Sequence, residues 1–184
     1  MAGFVAKAEI VVLGLLTEKP MHGYDLLERY RARSMGSWVE VAKASVYQAL
    51  KRLERDGAIK GRALGGTRGP DRRVFTITEA GRRRLRQGMA ERIDSRAPFE
   101  TDAGVALGFA NLLPSSQARD LIDARERSLR ELMQALAAEL DRIAREGDAG
   151  VAISAAMLRR QAILAEAELG WLRAFRSSMA KKKR

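Results

Sequence analysis

Residues 43 to 78, KASVYQALKRLERDGAIKGRALGGTRGPDRRVFTIT, leave few folds open. Val46, Leu50 and Leu53 recur at i, i+4 and i+7, which is one apolar stripe on a helix, while Ser45, Gln48, Lys51, Arg52 and Arg55 fall on its other faces. Gly57 supplies the stop, since glycine tolerates the left-handed conformation in which helices end. Beyond it Ile59 alternates with Lys60 and Arg62, and Phe75 and Ile77 alternate with Val74 and Thr76, the period-two pattern of half-buried strands. GGTRGP between them is a turn or loop. Either element alone is an ordinary solvated helix or hairpin. In this order, and this close together, they predict the recognition helix and wing of a winged helix-turn-helix. Short polar and basic side chains on the helix suit a major groove, where Gln reads adenine and Lys or Arg reads guanine.

The formal charge of +11 supports this once it is located: residues 43–92 hold fourteen Lys/Arg against five Asp/Glu, while residues 93–180 hold eleven against thirteen. The excess lies on the helix, the wing and the following helix, where a polyanion would bind. With 184 residues, 46% of them hydrophobic, the chain allows one or two small domains with a core in each. Cysteine is absent and His22 is the only histidine, so a zinc-thiolate site, a disulfide framework and a histidine-based catalytic triad lack material; no cofactor or metal is expected. No glycine-rich phosphate loop or nucleophile–base set stands out, so an enzyme is not expected. The apolar start carries Glu9 in its middle and no basic leader, which argues against a signal peptide or spanning helix.

Upstream, Ile10, Val11, Leu13, Leu15 and Leu16 crowd a first helix from Ala6 to Thr17 that is buried on more than one side. Lys19-Pro20 ends it, and a second helix from about His22 to Arg33 bears Tyr24, Leu27 and Tyr30 on one stripe. His22 stands at the start of that helix, either meeting a phosphate or capping the helix. Trp38, Val39 and Val41 form a short extended segment or pack their loop on the core. Tyr47 lies beside the apolar stripe yet is able to present its hydroxyl to a phosphate. Thr78 is the expected N-cap of a helix beginning at Glu79 that bears Arg82, Arg83, Arg84 and Arg86.

Three separated blocks, LGLLTEKPMHGYDLLERY, SVYQALKRLERDGAI and RRVFTITEAGRRRL, resemble the signatures of the PadR family of bacterial transcriptional regulators. The matching positions are His22, Gly23, Tyr24, Ser45, Tyr47, Leu50, Leu53, Glu54, Gly57, Thr78 and Gly81, within roughly residues 6–90. Gln48 departs from the proline of many relatives. The resemblance implies a mainly α fold with a small β-wing: a winged helix-turn-helix followed by a C-terminal helical dimerisation domain. It also implies a cytoplasmic, nucleoid-associated homodimeric repressor released by a small molecule.

The expected divisions are residues 1–92 for DNA binding, a hinge through IDSRAPFETD, 93–180 for dimerisation, and a basic tail 181–184. After a short helix ending before Pro114, Ile122, Leu129, Leu136 and Ile143 repeat every seven residues along a helix from Ser115 or Ser116 to about Arg145. Met157, Leu164 and Trp171 repeat likewise on a last helix from about Val151 to Met179. Apolar surface extends so far around this helix that a second copy of the chain is expected to cover it.

The site expectations follow. Ser45, Gln48, Lys51 and Arg52 face bases or nearby phosphates of a near-palindromic duplex; Lys43, Lys60, Arg62, Arg68, Arg72 and Arg73 hold its backbone, with Arg68 at the wing tip entering the minor groove; His22, Tyr24 and Tyr47 approach phosphates. An apolar or aromatic effector would meet Trp38, Phe99, Phe109, Met157, Trp171 and Phe175, although packing alone also explains each of them. The competing use of the fold is contact with RNA or protein, without an operator.

Overall fold

The computed structural model describes residues 5–63, 73–93, 102–146 and 151–181. The chain divides into two compact units, Met1–Arg96 and Ala97–Arg184.

In the first unit, helix α1 (Lys7–Leu16), α2 (Gly23–Ala32), α3 (Lys43–Arg55) and α4 (Glu79–Ile93) surround a core of Val12, Leu13, Leu16, Leu26, Val46, Leu50, Leu53, Ile59 and their neighbours. Hiding one such aliphatic side chain contributes about 1.5–3 kcal/mol, so the stripe read from α3 is enough to dock that helix. α1 is buried on several sides, as its crowded sequence requires; α3 buries Val46, Ala49, Leu50 and Leu53 and leaves the rest of its circumference outward. Trp38, Val39 and Val41 pack against this core after a 3-10 turn at Met35–Ser37, and the Tyr30 hydroxyl binds the backbone of Val39 and Val41.

Strands β2 (Ile59–Ala63) and β3 (Arg73–Ile77) pair antiparallel, with Gly61 opposite Phe75 and Arg62 opposite Val74. A two-residue strand, β1 (Met21–His22), pairs with the other edge of β3, so the sheet order is β1-β3-β2. Residues Ile59, Gly61, Phe75 and Ile77 share the inner face; Lys60 and Arg62 share the outer one. The Thr78 hydroxyl oxygen accepts the Gly81 N–H at 3.1 Å, the N-cap bond expected of it. Gly81 lets α4 start flush against the α3–β2 junction: a Cβ there would lie 2.1 Å from the Ala58 carbonyl oxygen.

The second unit contains α5 (Asp102–Gly108), a 3-10 turn at Ala110–Leu112, α6 (Ser115–Glu146) and α7 (Val151–Lys181). α6 and α7 run antiparallel, as the pairs Arg125–Glu168 and Arg176–Asp123 require. Ile122, Leu129, Leu136 and Ile143 are buried at the spacing read from the sequence. On α7 the buried seam is Leu158, Ala165, Leu169 and Leu172, one residue beyond the Met157–Leu164–Trp171 series. Side-chain size misled that reading: the seam passes through the small Ala165, while the large Leu164 and Trp171 stand 37% and 48% exposed.

Candidate nucleic-acid interface

The outward face of α3 carries Ala44, Tyr47, Gln48, Lys51 and Arg55 at helical spacing, with Lys43 at its first turn. Gln48 and Lys51, two of the expected groove-facing residues, are thus presented side by side. Ser45 is half-buried and, with Gln48, Arg52, Lys7 and Glu40, lines an open cleft of about 300 Å3 between α1 and α3. The outer face of β2, opposite the one that meets Glu54 of α3, presents Lys60 and Arg62. Lys43, Lys51, Lys60 and Arg62 make no ion pair with any described residue.

Other expected contacts are placed differently. Arg52 turns part of its guanidinium toward Glu9, with Nη1 3.2 Å from Oε1, because a carboxylate only 1% exposed needs cationic partners. Arg73, with a side chain 43% exposed, is held by an acid. It lies in phase with Phe75 and Ile77 on the inner face, and its guanidinium donates to both oxygens of Glu54 at 2.8 and 2.6 Å. His22 is the N-cap of α2, its backbone N–H donating to Asp25, and its ring Nδ1 lies 3.1 Å from the Arg73 carbonyl oxygen. Tyr24 is exposed. Tyr47 packs on α2, since a Cβ on Gly23 would come within 3.0 Å of its ring, and this close approach is why glycine opens α2. Arg68, Arg72 and Phe99 lie outside the described residues.

Sequence reasoning missed Glu9 as an organising group. Its Oε2 accepts Arg84 Nε at 3.1 Å and Nη2 at 2.7 Å, and Arg84 Nη1 reaches Asp56 at 3.0 Å, so one buried carboxylate ties α1 to α3 and α4. An acidic residue inside an apolar helix run was the available signal. Burial disfavours the charged Arg84, but hydrogen bonds and attraction from Glu9 and then Asp56 outweigh it and raise its pKa. The hydrogen bond from Arg55, helped by Arg84, lowers that of Asp56.

Among the residues expected at an effector site, Trp171 and Phe175 are stacked with centroids 4.9 Å apart, and Phe175 packs against the α6–α7 core. Met157 is half-buried and Phe109 exposed on the same unit. Trp38 belongs to the first unit, packed on its core, and its indole N–H has no partner among the described residues.

A helix-turn-helix whose third helix leads directly into an antiparallel wing defines the winged helix-turn-helix class. Residues 12–87 match the transcriptional regulator PadR-like family. A probable transcriptional regulator of Mycobacterium tuberculosis is 26% identical over 110 residues, 60% of this chain; the match spans about half, 53%, of that relative. The whole fold is similar to Bacillus subtilis PadR in complex with operator DNA (TM-score 0.74, 16% identity, 92% of this chain and 97% of that one). It is similar as well to the Vibrio cholerae virulence activator AphA (TM-score 0.71, 18% identity, 96% and 99%). A third likeness is Bacillus subtilis PadR with p-coumaric acid (TM-score 0.71, 16% identity, 94% and 98%). At these identities the likeness is one of fold. No helix among the described residues is long and apolar enough to cross a membrane.

Proposed function

We propose that the chain is a cytoplasmic transcriptional repressor that binds a near-palindromic DNA operator as a homodimer and is released by an apolar or aromatic small molecule. The observation that carries the DNA reading is the outward row Gln48–Lys51 on α3 with Lys43 at its first turn, joined by Lys60 and Arg62 on the outer face of β2, polar and cationic groups with no ion pairs to described residues. Gln48 and Lys51 read base edges; Lys43, Lys60 and Arg62 hold phosphates; Arg68 and Arg72 extend the wing's contribution. Residues 1–92 are the DNA-binding domain and 93–180 the dimerisation domain. Ile153, Leu164 and Trp171 favour the dimer: they stand on the side of α7 away from its buried seam, where a second copy removes them from water. The operator complex and the p-coumaric acid complex of the Bacillus subtilis relative support duplex DNA and a small aromatic molecule as partners.

Selection of bound duplexes from a random pool tests this. An inverted repeat with half-site centres ~34 Å or a multiple apart is expected. Recovery of no preferred duplex, or binding to structured RNA instead, overturns it.

A further inference from the structure

We propose that Glu54 is a specificity-determining residue, which withholds the Arg73 charge from DNA phosphates and spends it on fixing the wing to the recognition helix. The inference rests on the DNA-binding reading above. The Glu54 carboxylate, at the last turn of α3, accepts both Arg73 hydrogen bonds and, through Oε1, the Gly61 N–H of β2 at 3.1 Å. Arg73 Nη2 lies 3.3 Å from the Gly61 carbonyl oxygen, and the guanidinium sits 5.8 Å from the centroid of the Phe75 ring. The clasp has room for no side chain at position 61: a Cβ there would lie 2.5 Å from Glu54, 2.9 Å from Arg73 and 3.0 Å from Phe75. His22 fixes the Arg73 backbone from the other edge of the sheet.

A guanidinium in a two-pronged pair with a carboxylate is locally neutral, and turning it to a phosphate breaks two charge-assisted hydrogen bonds. It therefore releases no counterion when DNA binds. Lys60 and Arg62, on the opposite face of the wing sheet, do. Lys60 and Arg62, two residues apart on one face of the sheet, and Arg73 in the clasp on the other thus have opposite electrostatic roles although the sequence presents them as one basic cluster. Removing the Glu54 charge frees Arg73 for any phosphate, which strengthens binding to all sequences alike and lowers discrimination.

The test is the salt dependence of binding by the full chain, on a selected operator and on a random-sequence duplex. Arg62→Gln and Lys51→Gln are each expected to flatten the log–log slope by ~0.9, the contribution of one phosphate contact, whereas Arg73→Gln leaves it unchanged. Glu54→Gln steepens the slope by ~0.9 and tightens random-duplex binding roughly fivefold near 0.15 M salt. The double substitution Glu54→Gln with Arg73→Gln restores the original slope. Should a glutamine variant fail to fold, the pair Glu54→Leu with Arg73→Leu replaces the clasp by apolar contact and is expected to keep the parent slope. The inference is overturned if Arg73→Gln or the leucine pair flattens the slope as Arg62→Gln does, or if Glu54→Gln leaves random-duplex affinity unmoved. In those cases the flattening by Arg62→Gln and Lys51→Gln keeps the DNA reading intact; if they too change nothing, the DNA reading falls, and this inference with it.

Discussion

Replacing Glu9 by Gln is expected to destabilise the first unit by about 2–3 kcal/mol. Taking away one partner of a fully buried ion pair costs about 3–5 kcal/mol, because the other charge is stranded in a poorly solvated place. Here the two stranded groups are not fully buried: the Arg84 side chain is 28% exposed and that of Arg52 is 52% exposed, so both regain some water and the cost falls below that range. Glutamine also retains one acceptor oxygen. For a unit of this size a kilocalorie shifts the melting point by about 4–8 °C, so a fall of ~10–20 °C is expected by calorimetry. The geometry further fixes an order among three variants. Arg84→Gln leaves a carboxylate that is 1% exposed with a single partner at 3.2 Å and costs about as much as Glu9→Gln or more. Arg52→Gln leaves the two Arg84 contacts in place and costs about 1 kcal/mol or less, as half-exposed pairs do. Urea titrations of the three would refute the reasoning if Arg52→Gln proved as damaging as Arg84→Gln, or if Glu9→Gln cost under ~0.5 kcal/mol.

Further outcomes are expected. Gly81→Ala gains helix propensity of about 1 kcal/mol but drives a methyl into the Ala58 carbonyl, and a net loss of ~2–4 kcal/mol should appear in denaturant melts; an unchanged midpoint would contradict the packing at this junction. Because the folded-state pKa of Asp56 lies below its ordinary 3.8, its contribution is fully present above that pH and is lost as pH falls through the lower folded value. Asp56→Asn should therefore flatten the acid limb of the stability curve and leave the alkaline limb alone. Leu164→Glu with Trp171→Glu should convert a dimer to monomers in sedimentation without altering the melting of the first unit; a persistent dimer would move the interface elsewhere. Gln48→Ala should weaken operator binding by about 1–3 kcal/mol and random-duplex binding hardly at all, as competition assays would reveal.

The parts of the fold visible in the sequence are those written in local spacing. The α3 stripe, the strand alternation around Ile59 and Ile77, the Thr78 cap and the four-residue α6 repeat each need only neighbours within a turn or two of chain. β1 was not visible, because two residues have no period and become a strand only through the edge of β3. The pairs Glu9–Arg84 and Glu54–Arg73 join residues 75 and 19 positions apart, beyond any local pattern. Arg73 is the instructive case. Its charge invites grouping with Arg62, yet it is in phase with Phe75 and Ile77 along the strand, and phase decides which face of the sheet a strand residue joins. Arg52 has an outward helical position and a half-exposed side chain, and the buried carboxylate beneath it draws back one end of its guanidinium.

β3 touches β1 along one border and β2 along the other, and backbone hydrogen bonds join it to both. A load applied to the wing hairpin is therefore delivered to Met21 and His22, and from there to the first turn of α2, although His22 and Arg73 stand 51 positions apart in the chain. The base of the wing and the opening of α2 therefore shift together rather than one by one.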